Sequence, residues 1–250
     1  MTTGECVRTL VGHTDTVISI LFDELHNQLF SSSNDTSIKQ WDLNTSICLK
    51  TIATNLDWHV FSFILIPRTN ELLSASYDRK IHVWDLKTGK CARQFNVSLC
   101  NNIDMFLIKD TNEFVVLAQD SKTIQICELR TGHCLKRFKS HNYSIRGILM
   151  RPDSSQLITS SFDETFKVWD LSKCECVLTF NAYETDAIFI HMTLIPERNE
   201  LVTGSQDETN IKIWNLQTGE YLKTIENCMF SFGQFLLVKF SKENISLQTK

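Results

Sequence analysis

A short run ending in Trp-Asp-Leu returns along this chain at an almost fixed interval, and nothing else in the sequence restricts the fold so tightly. One copy runs from Asp78 to Leu86, and others run from Asp35 to Leu43, from Asp163 to Leu171 and from Thr209 to Leu216. A degraded copy, Thr123 to Leu129, lies between them. The repeating position is occupied by Trp41, Trp84, Cys127, Trp169 and Trp214, at spacings of 43, 43, 42 and 45 residues. A constant period of that size is the signature of one supersecondary unit copied in series.

Within each copy the apolar residues alternate in short β-branched and aromatic runs, separated by turn residues every eight to twelve positions. That is the all-β pattern, and no segment sustains a 3.6-residue apolar period for three turns. In the first copy the strands read Val17 to Phe22, Leu29 to Ser33, Ile38 to Trp41 and Cys48 to Ile52. Pro67, Pro152 and Pro196 all fall in the loop after the first strand, where a missing N–H removes no ladder bond. Gly4, Gly89, Gly132 and Gly219 mark the turn before the fourth strand, a place that often needs positive φ. In the third strand Ile81 and Val83 face one way while His82 and Trp84 face the other, which predicts a strand covered on both sides. The fourth strands carry a basic column, Arg8, Lys50, Arg93, Lys136 and Lys223, interrupted by Leu178. It reads as a charged outer edge that guards against edge-to-edge pairing.

A net charge of −4, with acids and bases mixed along the whole length, provides no basic stripe for phosphates, so no nucleic-acid partner is expected. No apolar run reaches the length of a membrane span, and the first residues hold neither a basic nor an apolar secretory region. Of the nine cysteines, Cys6, Cys48, Cys91, Cys134 and Cys176 form one column, with Tyr221 in the next place. Each member then sits on a different unit, too far from the others for a disulfide, which favours a reduced cytoplasmic or nuclear setting.

Gly12-His13, then Ser33-x-Asp35, then Trp41-Asp42, with Thr/Ser-x-x-Cys in the last strand, resembles the WD-repeat β-propeller family. The resemblance runs over roughly residues 2–225. It implies an all-β WD-repeat β-propeller with five recognisable repeats plus a partial blade, each blade having four strands. The expected organisation is a single propeller domain over residues 1–250, incomplete at both ends. Its repeats span approximately 11–52, 53–95, 96–138, 139–180 and 181–225. Residues 2–10 would be the last strand of the closing blade and 226–250 a partial blade, so closure would need further sequence or another chain.

The resemblance also implies hydrogen-bonded tetrads of His, Ser/Thr, Asp and Trp. Two complete sets are expected: His13, Ser33, Asp35 and Trp41, and His141, Ser161, Asp163 and Trp169. The repeat with Trp84 keeps Ser76 and Asp78 but has Leu56 in the histidine position. The repeat with Trp214 keeps Ser205 and Asp207 and has one extra residue. The middle repeat keeps Asp120 alone, with Ser98, Ala118 and Cys127 elsewhere.

Nucleotide-binding glycine loops and a nucleophile elbow are absent from the sequence, and Cys174-Glu-Cys176 has no second ligand pair to complete a zinc site. No cofactor, metal or catalytic residue is expected. The favoured function is a non-catalytic scaffold or adaptor that binds other proteins or peptides through the upper face of the propeller. Alternatives are the substrate-recognition subunit of a ubiquitin ligase and, from a different class, a propeller-based enzyme. In the family that face includes the residue before the turn aspartate, here Asn34, Tyr77, Gln119, Phe162 and Gln206. It also includes residues near the start of the first strand, here His59, Phe61, Asn101, Ile103, Ser144 and Arg146. His59, Phe61, Tyr77, Arg146 and Phe162 are the expected partner-binding set, since aromatics and arginine dominate binding hot spots. The alternative for Phe61 and Phe162 is that they plug the channel.

Overall fold

Each copy of the repeat folds into four short antiparallel strands that pair in the order in which they occur. The computed structural model describes residues 8–54, 60–97, 103–118, 122–152, 154–181, 189–205 and 210–226. The first sheet comprises β1 (Val17–Asp23), β2 (Gln28–Ser33), β3 (Ser37–Asp42) and β4 (Ile47–Ala53). The second comprises β5 (Val60–Ile66), β6 (Glu71–Ser76), β7 (Lys80–Asp85) and β8 (Lys90–Asn96). The third has β9 (Ile103–Leu107), β10 (Glu113–Ala118), β11 (Thr123–Glu128) and β12 (Cys134–Lys139). The fourth has β13 (Ile145–Met150), β14 (Gln156–Ser161), β15 (Thr165–Asp170) and β16 (Glu175–Asn181). The fifth has β17 (Phe189–Ile195), β18 (Glu200–Ser205), β19 (Ile211–Asn215) and β20 (Tyr221–Ile225). These are β-propeller blades, and the fold class is all-β. Among the described residues the one helical turn is a 3₁₀ segment, Pro196–Arg198, and no helix is long and apolar enough to cross a membrane. The strand and partial blade expected at 2–10 and 226–250 lie almost wholly outside the described residues.

The chain forms two compact units, residues 1–137 and 138–250, divided within β12. In the first unit, β1 lies beside β5 and β5 beside β9. Phe30, Ile38, Leu72 and Trp84 fill the space between the first two sheets, and Leu73, Val83, Phe114 and Val116 that between the second and third. In the second unit β13 lies beside β17, and Ile158, Phe166, Phe180, Leu201 and Trp214 form the core. Stacking buries both faces of β7, as its sequence predicts: Ile81, His82, Val83 and Trp84 are all at most 3% exposed.

The turn before each fourth strand has positive φ at Gly89 (71°), Gly132 (70°) and Gly219 (76°), and Ser46 and Cys174 take the same handedness at 62° and 57°. Gly132 has a second reason to lack a side chain, because a Cβ there would lie 2.2 Å from Cδ2 of Phe95 on the preceding blade. Gly4 lies outside the described residues.

Two members of the basic column, Lys50 and Arg8, tie their strands to the turn of the next blade. Lys50 Nζ donates to the carbonyls of Leu86 and Lys87 in the next blade, at 2.5 and 2.8 Å. Arg8 reaches the corresponding carbonyls of Leu43 and Asn44. Arg93 instead clasps Glu71 in its own sheet with two guanidinium nitrogens, at 2.5 and 3.1 Å. A cationic side chain satisfies turn carbonyls that a strand cannot reach.

Candidate functional site

Two directional chains of hydrogen bonds hold the third strands to the turns. His13 Nδ1 lies 2.8 Å from Asp35 Oδ2, and His13 Nε2 lies 2.7 Å from the Ser31 hydroxyl. That hydroxyl also accepts from Trp41 Nε1 at 2.8 Å. The second chain repeats the arrangement: His141 Nδ1 is 3.0 Å from both Asp163 oxygens, His141 Nε2 is 2.6 Å from Thr159 Oγ1, and Trp169 Nε1 donates to that oxygen at 2.9 Å. One assignment satisfies every group, with Nδ1–H donating to the aspartate and Nε2 accepting from the hydroxyl.

This corrects the expected sets at one place each. The hydroxyl that joins His to Trp is Ser31, not Ser33, and Thr159, not Ser161. Residues two apart on a strand share a face, so either serine satisfies the pattern. The register decides between them. Trp41 stands opposite Leu29, and Ser31 is the diagonal neighbour that its indole reaches, whereas Ser33 is another two residues away. Ser33 and Ser161 accept from the N–H groups of Asp35 and Asp163, each at 3.1 Å, and so fix the turn.

The same diagonal recurs wherever the tryptophan is present. Trp84 Nε1 donates to Ser74 at 2.8 Å and Trp214 Nε1 to Thr203 at 3.0 Å. In the third sheet Cys127 replaces the tryptophan, and the diagonal position, opposite Gln125, is Val116. Hydroxyl and indole are lost together, and that joint loss was the sequence signal for the true partner. In the second blade a different histidine serves the turn: His82, on β7 itself, places Nε2 2.7 Å from Asp78 Oδ2. Ser76 donates to the other oxygen of Asp78. Leu56, Ser98, Asp120 and Asp207 lie outside the described residues.

Burial acts to raise the Asp35 pKa, but hydrogen bonds from the Ser37 hydroxyl, Thr14 N–H and His13 outweigh it and hold the carboxyl well below the usual range. Asp163 is likewise lowered: burial opposes, and the Thr165 hydroxyl, Asn142 N–H and His141 prevail. At His141 desolvation dominates and lowers the pKa, despite the facing carboxylate. Ser31 and Thr159 are 3% and 0% exposed, so neither hydroxyl faces solvent.

The expected partner-binding residues fall next to a shared irregularity. In β1, β5, β13 and β17 one extra residue bulges from the first strand just after its start. In β5 that residue is Phe61 and in β13 it is Arg146. A bulge re-aims a side chain, and each of these meets the residue before the turn aspartate. Phe61 lies edge-on to Tyr77, with ring centroids 5.1 Å apart at 66°. The Arg146 guanidinium carbon stands 4.8 Å above the Phe162 ring. Phe162 remains 45% exposed. A backbone bond from Phe162 N to Ser144 O, 3.1 Å, pins its turn, as Asn34 N to Thr16 O does in the first blade at 2.9 Å. Thus four of the five residues form two pairs, one in each compact unit. His59, with Asn101, Gln119 and Gln206, lies outside the described residues.

Comparison with known proteins follows the same residues. Residues 4–42, 46–85 and 132–170 match the family described as WD domain, G-beta repeat. This is a WD-repeat chain. It is 32% identical over 79 residues to a transcriptional corepressor of Arabidopsis thaliana, LEUNIG_HOMOLOG, covering 31% of this chain and 10% of that protein. It is 46% identical over 61 residues to WD repeat-containing protein 75 of Mus musculus (24% and 7%). It is 52% identical over 50 residues to nuclear distribution protein PAC1 of Candida glabrata (20% and 10%). The chain therefore spans a tenth or less of the length of these relatives. The three matched segments hold Trp41, Trp84 and Trp169; the repeats of Cys127 and Trp214, which depart most from the pattern, lie largely outside them.

The cysteine column of these WD repeats also has a structural explanation. The fourth strands bulge opposite the tryptophan, so that Trp41 faces Cys48, Trp84 faces Cys91 and Trp169 faces Cys176. Each thiol donates to the carbonyl two residues on, as Cys48 does to Lys50 O at 3.4 Å and Cys176 to Leu178 O at 3.3 Å. A small side chain with a weak donor suits a bulge that leaves a carbonyl unpaired. In the fifth blade Tyr221 takes this place and lies edge-on to Trp214 at 5.6 Å.

Proposed function

We propose that this chain is a non-catalytic WD-repeat scaffold, cytoplasmic or nuclear, that docks a peptide or loop of a partner protein on the face bearing the turn aspartates. His59, Phe61, Tyr77, Arg146 and Phe162 are the residues assigned to that contact. One observation carries the reading: an aromatic ring occupies a turn position normally given to a polar residue, and a bulged neighbour braces it. Phe162 under Arg146 is the clearer case, because an apolar ring held in a fixed orientation and left 45% exposed presents area to a partner at little further cost in entropy. The buried aspartate–histidine chains serve structure in this reading, since their hydroxyls accept from an indole and face no open space. The relatives include a transcriptional corepressor and a nuclear distribution protein, and a scaffold role is compatible with both.

The test is a Tyr77→Ala, Phe162→Ala double substitution. It should abolish co-purification of the partners recovered with the parent chain while the thermal melt moves by no more than a few degrees. Recovery of the same partners in the same amounts would refute the assignment.

A further inference from the structure

We propose that Cys127 and Cys134 are a dithiol pair that closes into a cross-strand disulfide on reaction with a low-molecular-weight disulfide. The third blade has lost its tryptophan, and the residue that replaces it confronts the cysteine column. Trp41, Trp84 and Trp169 stand opposite Cys48, Cys91 and Cys176, and Trp214 stands opposite Tyr221. The register of β11 and β12 follows from the bond between Glu128 N and His133 O, 2.9 Å, which matches that between Asn215 N and Glu220 O, 2.9 Å, in the fifth blade. Cys127 therefore faces Cys134 as Trp214 faces Tyr221. The two thiols are neighbours, and Cys134 donates to the Lys136 carbonyl at 3.3 Å. Facing residues on antiparallel strands have Cα atoms about 4.5–5.5 Å apart, inside the range a disulfide spans. Both cysteines are free thiols, Cys127 buried and Cys134 exposed.

The exposure difference orders the chemistry. Cys134, as thiolate, attacks one sulfur of the small disulfide, forming a mixed disulfide and expelling half of the reagent as a thiolate. Cys127 gives up its proton, attacks Cys134 Sγ and expels the other half. Two protein thiols are oxidised and one small disulfide is reduced to two thiols, with no further reactant. Burial, which raises the Cys127 pKa to about 12, makes the second step the slow one. Closure ties the outermost strand of the third blade to its neighbour, in the repeat that lacks the indole bond.

The experiment incubates the folded full chain with excess oxidised glutathione, blocks the remaining thiols and digests with trypsin without reduction. Arg130 separates the two cysteines into the peptides Thr123–Arg130 and Thr131–Lys136. The expected product is these two peptides joined, two hydrogens lighter than their sum, with no glutathione retained on Cys134. Cys127→Ser should retain glutathione on Cys134, and Cys134→Ser, a change at an exposed site, should leave Cys127 reduced. A glutathione adduct persisting on Cys134 of the parent chain, or Cys134 joined to any other cysteine, would overturn the proposal.

Discussion

Trp169 Nε1 donates to the hydroxyl of Thr159 at 2.9 Å, across the diagonal between β15 and β14, and the same oxygen meets His141. One buried oxygen thus joins the strand to the turn. Thr159→Val keeps the volume and removes both bonds, leaving the indole N–H and the imidazole nitrogen unpaired in the core. We expect a loss of about 2–4 kcal/mol, since each buried group left unsatisfied costs roughly 1–3 kcal/mol. Ser161→Ala removes two bonds at the edge of the sheet, one from Asp163 N–H and one to the exposed Tyr143 carbonyl, and should cost about 1 kcal/mol. Urea unfolding of the two variants measures the difference, and equal losses would restore Ser161 as the partner.

Removal of the large side chains should follow the same ranking. Trp169→Ala is expected to cost roughly 3–5 kcal/mol. Cys127→Ala occupies the equivalent position, removes one sulfur and should cost well under half of that. The comparison needs only denaturant midpoints.

These two sites show what the sequence could and could not reveal. Five copies of a period-two pattern at a constant interval were enough for strand number, order and antiparallel pairing, because burial of both faces of Ile81–Trp84 leaves little alternative. Which of Ser31 and Ser33 meets the tryptophan depends on the β2–β3 register, and both share a face. His82 was legible as buried but not as the Asp78 partner, because strand position alone does not show how far a ring leans toward a turn. Lys50 read as an edge residue because its acceptors, the carbonyls of Leu86 and Lys87, lie 36 and 37 residues away. The pairing of Phe61 with Tyr77 required a bulge, and a single extra residue leaves no mark in the repeat length.

Stability should fall on mild acidification. The folded pKa of His141 is depressed by burial, so below its ordinary range, near pH 6.5, the unfolded chain takes up a proton that the folded chain refuses. Stability present above that pH is lost as pH falls toward the folded value. The lowered carboxyls of Asp35, Asp78 and Asp163 add a second loss below about pH 4, the unfolded aspartate range. Denaturant midpoints from pH 7.5 to 5 should decline for the parent and decline less for His141→Asn; identical slopes would remove His141 from the account.

Two turn glycines with the same backbone should differ in their tolerance of a methyl group. Gly89→Ala meets nothing nearer than 3.7 Å at φ 71°, and only the left-handed backbone penalty of about 1–2 kcal/mol applies. Gly132→Ala at φ 70° would place its methyl 2.2 Å from the Phe95 ring and must displace it, adding roughly 1–3 kcal/mol. Thermal melts should rank Gly132→Ala clearly lower.

The docking assignment is tested most directly by contact. A photo-crosslinking phenylalanine analogue placed in turn at Tyr77, Phe162 and Leu49 compares two proposed sites with a control of similar exposure, since Phe162 and Leu49 are 45% and 49% exposed. Irradiation in cells should join partner protein to the chain from positions 77 and 162 and not from 49. Crosslinking from position 49 as efficient as from 162, or none from either turn, would contradict the account.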